Sequence, residues 1–267
     1  LPTNFGLYLL DLSLMQLRKI NLFVEGKPLQ NEGSVRNIFI DDDGMAFVTH
    51  ETGILSFHTR RSVIGLIRNF RTEPQQGFSN QVNRCLYDNN NNFWIATNRG
   101  LTKWDLSTNS HTNFLAGTER QYVRDLAVYN MEYDGRSLVI GGAGQGLRIF
   151  DLQNETFRIP QLSSDNPLIN MAVKIGSVRV LQPLGNDGYI VGLDSFLLRL
   201  QKNNYRLEEI KPDRRLGAAF IAKQTTNGNV WLGTINGLFC LDTSLRLKYD
   251  LRQQFSASRH IYSLCEI

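Results

Sequence analysis

A set of basic and amide side chains recurs just inside short apolar segments along the chain. Guanidinium and amide groups that meet at one place can bind carboxylate or sulfate groups through paired hydrogen bonds. Nearby tyrosines offer flat faces on which a sugar ring can stack. The alternative is that these groups stay solvated or bond to carbonyls at strand ends. The candidate ligand-binding residues are Arg36, Asn83, Arg84, Tyr122, Arg124, Arg179, His260 and Tyr262.

Patterns for catalysis, metal binding or a cofactor are not found beside these residues. The four histidines share no position in the sequence pattern, and they form neither a Ser-His-Asp order nor a pair at metal spacing. The three cysteines lack a C-x-x-C spacing and are odd in number, which argues against a zinc site or a disulfide framework. We therefore predict no catalytic residues, no metal and no cofactor. The residues concerned are His50, His58, His111, His260, Cys85, Cys240 and Cys265.

Two further motifs are interpreted as structural and not as binding sites. The glycine-rich stretch from Gly141 to Gly146 does not match G-x-G-x-x-G and opens no predicted helix, so nucleotide binding is not expected. The acidic run Asp41-Asp42-Asp43-Gly44 lacks the spaced ligands and final Glu of a calcium loop and reads as a hairpin turn.

The charge of the chain argues against nucleic-acid binding, and its apolar runs are too short for a membrane span. The 267 residues include 29 Lys and Arg against 25 Asp and Glu, a formal net charge of +4, and the two signs interleave along the chain. Such a weak polycation is not expected to bind nucleic acid. No run reaches the roughly 18 apolar residues of a membrane span, and no signal segment opens the chain. Any membrane attachment is expected through segments outside it, since the chain reads as part of a longer protein.

The elements that would position these residues follow from a repeat. The phrase from Phe93 to Asp105 recurs from Val230 to Asp242, with weaker copies elsewhere. Its equivalent positions are 6, 53, 100, 146, 196 and 237, and (237 − 6)/5 gives a mean spacing of about 46 residues. Short strands at this period predict an all-β fold, a β-propeller of four-stranded antiparallel blades. Phe196 replaces the glycine of the other copies, which predicts an atypical hairpin.

Within each blade, the first strand is expected to line the propeller axis, so the candidate residues would meet at one mouth of the channel. First strands are predicted from Val35 to Ile40 and from Val82, Val123 and Val178. Residues at recurring positions of the repeat are interpreted as structural: Trp94 and Trp231 as packing between neighbouring sheets, and Asp11, Asp105, Asp151 and Asp242 as turn acceptors.

The whole chain is predicted to form a single propeller domain or a fragment of one. Five complete repeats and one split between the termini would give six blades if the ring closes. The alternative is a slice of a seven-bladed or longer array. The predicted repeats are 1–33 (partial), 34–80, 81–121, 122–176, 177–215, 216–259 and 260–267 (partial).

The repeat phrase resembles the two-component regulator propeller family. Val82 to Asp105 and Gly228 to Asp242 carry the resemblance best, and all six copies show part of it. The resemblance implies a periplasmic sensor domain of a hybrid two-component system, anchored in the inner membrane by other segments. It further implies an oligosaccharide ligand, signalling to a histidine kinase, and a homodimer of the full-length protein.

Two other functions remain open at this stage. A protein-interaction platform would expose an apolar patch on one face. A propeller lyase, similar to streptogramin lyases, would place an acid–base pair in the channel mouth, although we expect this domain not to be an enzyme.

Overall fold

The computed structural model consists of β-strands and turns, with one α-helix and one short 3₁₀ turn among the residues it describes. This content confirms the predicted all-β class. The structure describes residues 2–3, 6–11, 16–20, 23–24, 27–28, 35–40, 44–50, 53–58, 64–67, 82–88, 90–98, 100–114, 127–162, 165–211 and 216–254.

Six main sheets follow one another along the chain, and we number them 1 to 6. Sheet 1 contains β1 (Pro2–Thr3), β2 (Gly6–Asp11) and β3 (Gln16–Ile20), and the small hairpin of β4 (Phe23–Val24) and β5 (Lys27–Pro28) follows it. Sheet 2 contains β6 (Val35–Ile40), β7 (Met45–His50), β8 (Gly53–His58) and β9 (Ile64–Ile67). Sheet 3 contains β10 (Val82–Tyr87), β11 (Asn92–Thr97), β12 (Gly100–Asp105) and β13 (Ser110–Phe114).

The remaining three sheets include the helix. Sheet 4 contains β14 (Val128–Tyr133), β15 (Ser137–Gly142), β16 (Leu147–Asp151) and β17 (Thr156–Arg158). Then come β18 (Gln161–Leu162) and the helix α1 (Pro167–Ile175). Sheet 5 contains β19 (Val178–Pro183), β20 (Gly188–Leu193), β21 (Phe196–Gln201) and β22 (Arg206–Glu209), with β18 added in parallel beside β22. Sheet 6 contains β23 (Ala219–Gln224), β24 (Val230–Thr234), β25 (Gly237–Leu241) and β26 (Leu247–Asp250), before the 3₁₀ turn Arg252–Gln254.

The second strands of sheets 3, 4 and 5 are buried on both faces, as is typical of a strand between packed sheets. Every residue of β11, β15 and β20 is buried. Trp94 is 1% exposed, and its repeat equivalents Val139 and Ile190 are fully buried. Equivalent Phe47 lies 4.7 Å from the ring of Phe93, in a cluster that joins sheets 2 and 3. Burial at this repeat position is therefore confirmed for Trp94, Val139 and Ile190, whereas Trp231 is half-buried.

Three of the four recurring aspartates close turns, as predicted: Asp105, Asp151 and Asp242. The side chain of Asp11 lies outside what the structure describes. The Asp105 carboxylate accepts hydrogen bonds from the backbone N–H groups of Ser107 and Thr108. Asp151 accepts from the backbone of Gln153 and Asn154, and Asp242 from that of Ser244 and Arg246. The side chain of Thr108 and the N–H of Ser107 lower the pKa of Asp105, because they favour its charged form.

The hairpin in sheet 5 is atypical in its backbone but not in its length. Leu193 pairs with Phe196 across a two-residue turn, just as Thr97 pairs with Gly100. At Gly100 the φ angle is 123°, in the region that favours glycine, whereas in sheet 5 the positive φ of 49° belongs to Asp194. The turn therefore admits Phe196 because the positive φ has moved to a residue type that tolerates it.

The chain divides into two compact units, residues 1–128 and 129–267. In the first, Ile54, Val82 and Phe93 belong to one buried cluster. In the second, one cluster joins sheets 4 and 5 with helix α1, around Val139, Ile169 and Val191. Another cluster joins sheets 5 and 6.

Helix α1 was not predicted. Asn166 caps it by accepting a hydrogen bond from the N–H of Leu168 at 3.0 Å, and Pro167 opens it. Both are ordinary start signals. The helix is short, and its exposed side carries the apolar residues Leu168, Met171 and Ile175. The helical spacing of its buried residues therefore does not stand out in the sequence.

Candidate functional site

We call the first strand of each sheet its leading strand. In four sheets the leading strand has a β-bulge near its start, and three of the candidate residues lie at this bulge. The pairing of leading and second strands skips one residue in four sheets, at Arg36, Asn83, Arg179 and Phe220. Such a β-bulge redirects a side chain out of the regular alternation. Three of the predicted ligand-binding residues thus occupy the same bulge position, which places them at the same end of their strands.

In the first unit, the structure gives Asn83 a structural task. Its side chain is 7% exposed, and its amide group donates to Asn98 Oδ1 and to the carbonyl of Val128, each at 2.8 Å. The amide therefore ties the leading strand to the adjoining hairpin. Arg84, the next residue, is half-buried, and its charge partly offsets the burial that raises the pKa of Cys85.

In the second unit, Arg179 is the predicted residue with a side chain open to solvent. Its guanidinium carbon lies 5.5 Å from the centre of the Phe220 ring. Phe220 holds the equivalent bulge position in sheet 6 and is half-buried. The two bulge residues of neighbouring sheets therefore form a cation–π pair.

Tyr129 stands second in the leading strand of sheet 4, the place that the bulge residues hold elsewhere, and it is 40% exposed. Beside it, the Asn130 amide donates to the carbonyl of Val178 at 3.1 Å, directly before Arg179 in the chain. This bond fixes the leading strand of sheet 4 against that of sheet 5. Tyr129, Arg179 and Phe220 thus stand at equivalent positions of three successive sheets.

The predicted start of the leading strand in sheet 4 is wrong. The sequence places it at Val123, whereas β14 begins at Val128. Val123-Arg124-Asp125-Leu126 imitates Val35-Arg36-Asn37-Ile38, which explains the misalignment. In β14 the position equivalent to that of Arg179 in β19 is held by Tyr129.

Several predicted site residues lie outside what can be described. Tyr122, Arg124, His260 and Tyr262 fall outside the described residues, and for Arg36 the structure describes the backbone but not the side chain. Their part in a ligand site stays a prediction.

The glycine-rich stretch from Gly141 to Gly146 contacts the C-terminal end of helix α1. A Cβ on Gly146 would lie 2.0 Å from the carbonyl oxygen of Val173, so only glycine permits this contact. The Gly146 N–H donates to the carbonyl of Gly176 at 2.7 Å, and Arg148 donates to that of Lys174 at 2.9 Å. Burial lowers the pKa of Arg148. Helix α1 and the start of β19 are thereby anchored to sheet 4.

Sequence reasoning missed Tyr129 and Phe220. The search was for charged and amide groups, whereas these two aromatic residues are recognisable only after the leading strands are aligned on their bulges. The alignment depended on the start of β14, which the sequence alone misplaces.

Within the described ranges, no group of three or more His, Cys, Asp or Glu side chains could hold a metal ion. Cys85 and Cys240 are free and buried. In the described part of the chain, no helix is long and apolar enough to cross a membrane.

The fold is similar to extracellular domains of bacterial two-component systems. The chain matches over 98% of its length the extracellular domain of BT3049, described as a hybrid two-component system of B. thetaiotaomicron, with a TM-score of 0.71 and 16% identity. It matches the extracellular domain of BT4673, described likewise and from the same organism, over 97% of its length, with a TM-score of 0.70 and 18% identity. These matches agree with the resemblance that the repeat phrase indicated.

A more distant similarity is to a streptogramin B lyase, with a TM-score of 0.58 and 15% identity over 81% of this chain and 68% of the lyase. The chain spans only about a third of the two sensor domains, 34% and 33%. No protein-family model matches the sequence, and no curated protein matches it.

Proposed function

We propose that this chain is the ligand-sensing β-propeller module of a periplasmic two-component sensor. The observation that carries the proposal is the match of 98% of the chain to a sensor extracellular domain. At 16% identity this match concerns the fold, and the sensing role is our inference from it. Successive four-stranded antiparallel sheets at a spacing of about 46 residues support a propeller, because such sheets are its blades. Five complete blades and one split between the termini would make six, or a slice of a larger ring.

The proposed ligand is an oligosaccharide, bound where the leading strands begin. Side chains redirected by bulges, an exposed arginine and aromatic rings support this assignment. A sensor signals because its ligand has different affinities for two states of the protein. The proposal therefore includes further segments outside this chain: a membrane helix, a histidine kinase and the contacts of a homodimer.

A thermal-shift screen against neutral and acidic oligosaccharides, followed by chromatography of each mixture, tests the proposal. A ligand at 100 times its dissociation constant should stabilise the fold by about 2.7 kcal/mol. A shift with the sugar recovered intact supports sensing. A sugar recovered cleaved would instead support the lyase, and no shift with any saccharide would contradict an oligosaccharide sensor.

An interaction platform is the second candidate function, because helix α1 exposes apolar side chains. Leu168, Met171 and Ile175 are 63%, 58% and 53% exposed, and their spacing places them along one side of the helix. If this stripe belongs to the contact between two copies of the chain, Met171→Asp should weaken self-association in sedimentation experiments. An unchanged sedimentation profile would contradict that role.

A further inference from the structure

We propose that Tyr129, Arg179 and Phe220 form the recognition centre for an acidic sugar. The Arg179 guanidinium would bind a carboxylate or sulfate group, and the two aromatic rings would pack against the sugar. This inference rests on the proposed function, and it names the ligand class and the residues of the site. We refer to these three residues as the acidic-sugar site.

The first argument is the state of Arg179. Its side chain is exposed, and within the described residues its guanidinium has a contact with the Phe220 ring but neither a hydrogen bond nor an ion pair. Two other arginines of this unit have partners within the protein. Arg136 donates hydrogen bonds to Tyr205 and to backbone carbonyls, and Arg252 forms an ion pair with Asp250. The Arg179 donors therefore remain available for an anion.

The second argument is preorganisation. A guanidinium packed on an aromatic ring loses less freedom when it binds, and it keeps its planar donor fork. Two hydrogen bonds hold the chain directly before Arg179. Before it, Asp194 accepts a hydrogen bond from the N–H of Ser177 at 3.0 Å, and Asn130 donates to the Val178 carbonyl. The site thus stands on a rigid scaffold and not on a free loop.

The third argument is the combination of side chains. A single arginine between two aromatic residues differs from the dense basic surface that a polyanion needs. Sugar rings carry apolar C–H faces that pack on aromatic rings, and an acidic sugar adds a planar or tetrahedral anion at its edge. Tyr129, exposed by 40%, and the half-buried Phe220 would supply the rings.

Binding measurements on matched saccharides would test the site. Trigalacturonate and its methyl ester share the same sugar backbone, but the ester replaces each charged carboxylate by a neutral group, and chondroitin disaccharides with and without a sulfate group test the second anion. We expect at least one acidic saccharide to bind at least tenfold more tightly than its matched form, a difference of about 1.4 kcal/mol. If neither pair shows such a preference, the acidic-sugar site is wrong.

The variants then locate the binding. Arg179→Ala should weaken the acidic saccharide at least tenfold, Arg179→Lys less, and Tyr129→Ala several-fold. Arg246→Ala is the matched control, because Arg246 is also exposed but lies in the turn before β26, the opposite edge of sheet 6 from Phe220. Circular dichroism would verify that each variant is folded.

These outcomes separate the two proposals. Acidic-saccharide binding that survives Arg179→Ala, or that falls equally with Arg246→Ala, overturns the site but leaves an oligosaccharide sensor standing. Binding of neutral saccharides alone does the same. If none of these saccharides binds and the broader thermal-shift screen is also negative, both proposals fail together.

Discussion

At the scale of single residues, burial decides which of the conspicuous side chains can meet a ligand. Trp94 and Asn83 both attract attention in the sequence, yet each is buried and hydrogen-bonded to other groups of the protein. Arg179, which the sequence treats as one member of a ring, is exposed and rests on an aromatic side chain. All three residues could be selected from the sequence by their type. Their exposure to solvent could not, because it depends on how the sheets pack.

Replacing Trp94 should be costly, because the residue both fills the core and satisfies a buried carboxylate. Its Nε1 donates to Asp88 Oδ2 at 2.7 Å. We expect Trp94→Ala to lower the free energy of unfolding by about 3–5 kcal/mol, measured by urea denaturation. Trp94→Phe should cost about 1–3 kcal/mol, because Asp88 keeps the donors of Asn90 and Asn92.

Trp231 is the matched control for this experiment. It holds the same repeat position in sheet 6 but is only half-buried beside Tyr249. Trp231→Ala should therefore cost clearly less than Trp94→Ala. Equal costs would contradict the packing role assigned to Trp94.

Cys85 should make stability depend on alkaline pH. Burial raises the pKa of its thiol from 9.0 to about 12. Between these values the unfolded chain loses the proton while the folded protein keeps it, so the stabilisation present below pH 9 is lost as the pH rises. The difference in unfolding free energy between wild type and Cys85→Ala should shrink by up to about 1.4 kcal/mol per pH unit in this range. A constant difference from pH 8 to 11 would refute the prediction.

At the scale of elements, the repeat predicted strands well and connections poorly. β6 and β10 begin and end where the sequence pattern predicts, because alternating apolar residues and turn residues bound them on both sides. β14 and helix α1 were misplaced or missed, and both belong to connections whose lengths differ between copies. Strands that recur in every copy can be aligned with one another, whereas an insertion in one copy has no counterpart to align with. Tyr129 could be identified as part of the acidic-sugar site only once the start of β14 was known.

Gly146 is expected to hold helix α1 in place. Gly146→Ala would drive a Cβ into the Val173 carbonyl, whereas Gly135 has no atom within 4 Å of the same Cβ position. Both glycines have positive φ, 66° and 100°, so Gly135→Ala controls for backbone strain. We expect Gly146→Ala to destabilise the protein by at least about 2 kcal/mol more than Gly135→Ala.

Hydrogen exchange would show where the Gly146 effect lies. The amides of helix α1 should lose protection in Gly146→Ala and keep it in Gly135→Ala. Loss of protection confined to other sheets would contradict the proposed seat for the helix.

At the scale of the whole molecule, charge separates specific recognition from general attraction to anions. The formal net charge of +4 comes from 29 basic and 25 acidic residues that interleave along the sequence. Charges that interleave in this way do not predict an extended basic stripe, so duplex DNA is not expected to bind at physiological salt. Affinity for an acidic sugar would then depend on local geometry and not on the field of the whole chain.

Salt dependence tests that distinction. A contact that involves about one or two charges should lose roughly 3- to 12-fold in affinity between 50 and 200 mM salt, whereas six to ten phosphate contacts lose about 10³–10⁵-fold. The first range is an upper bound for a short saccharide, which carries fewer condensed counterions than DNA. We expect isothermal titration of an acidic saccharide to fall within it, and Arg179→Ala to flatten the dependence. A thousandfold loss would instead assign the binding to a diffuse basic surface, because a single guanidinium cannot release that many ions.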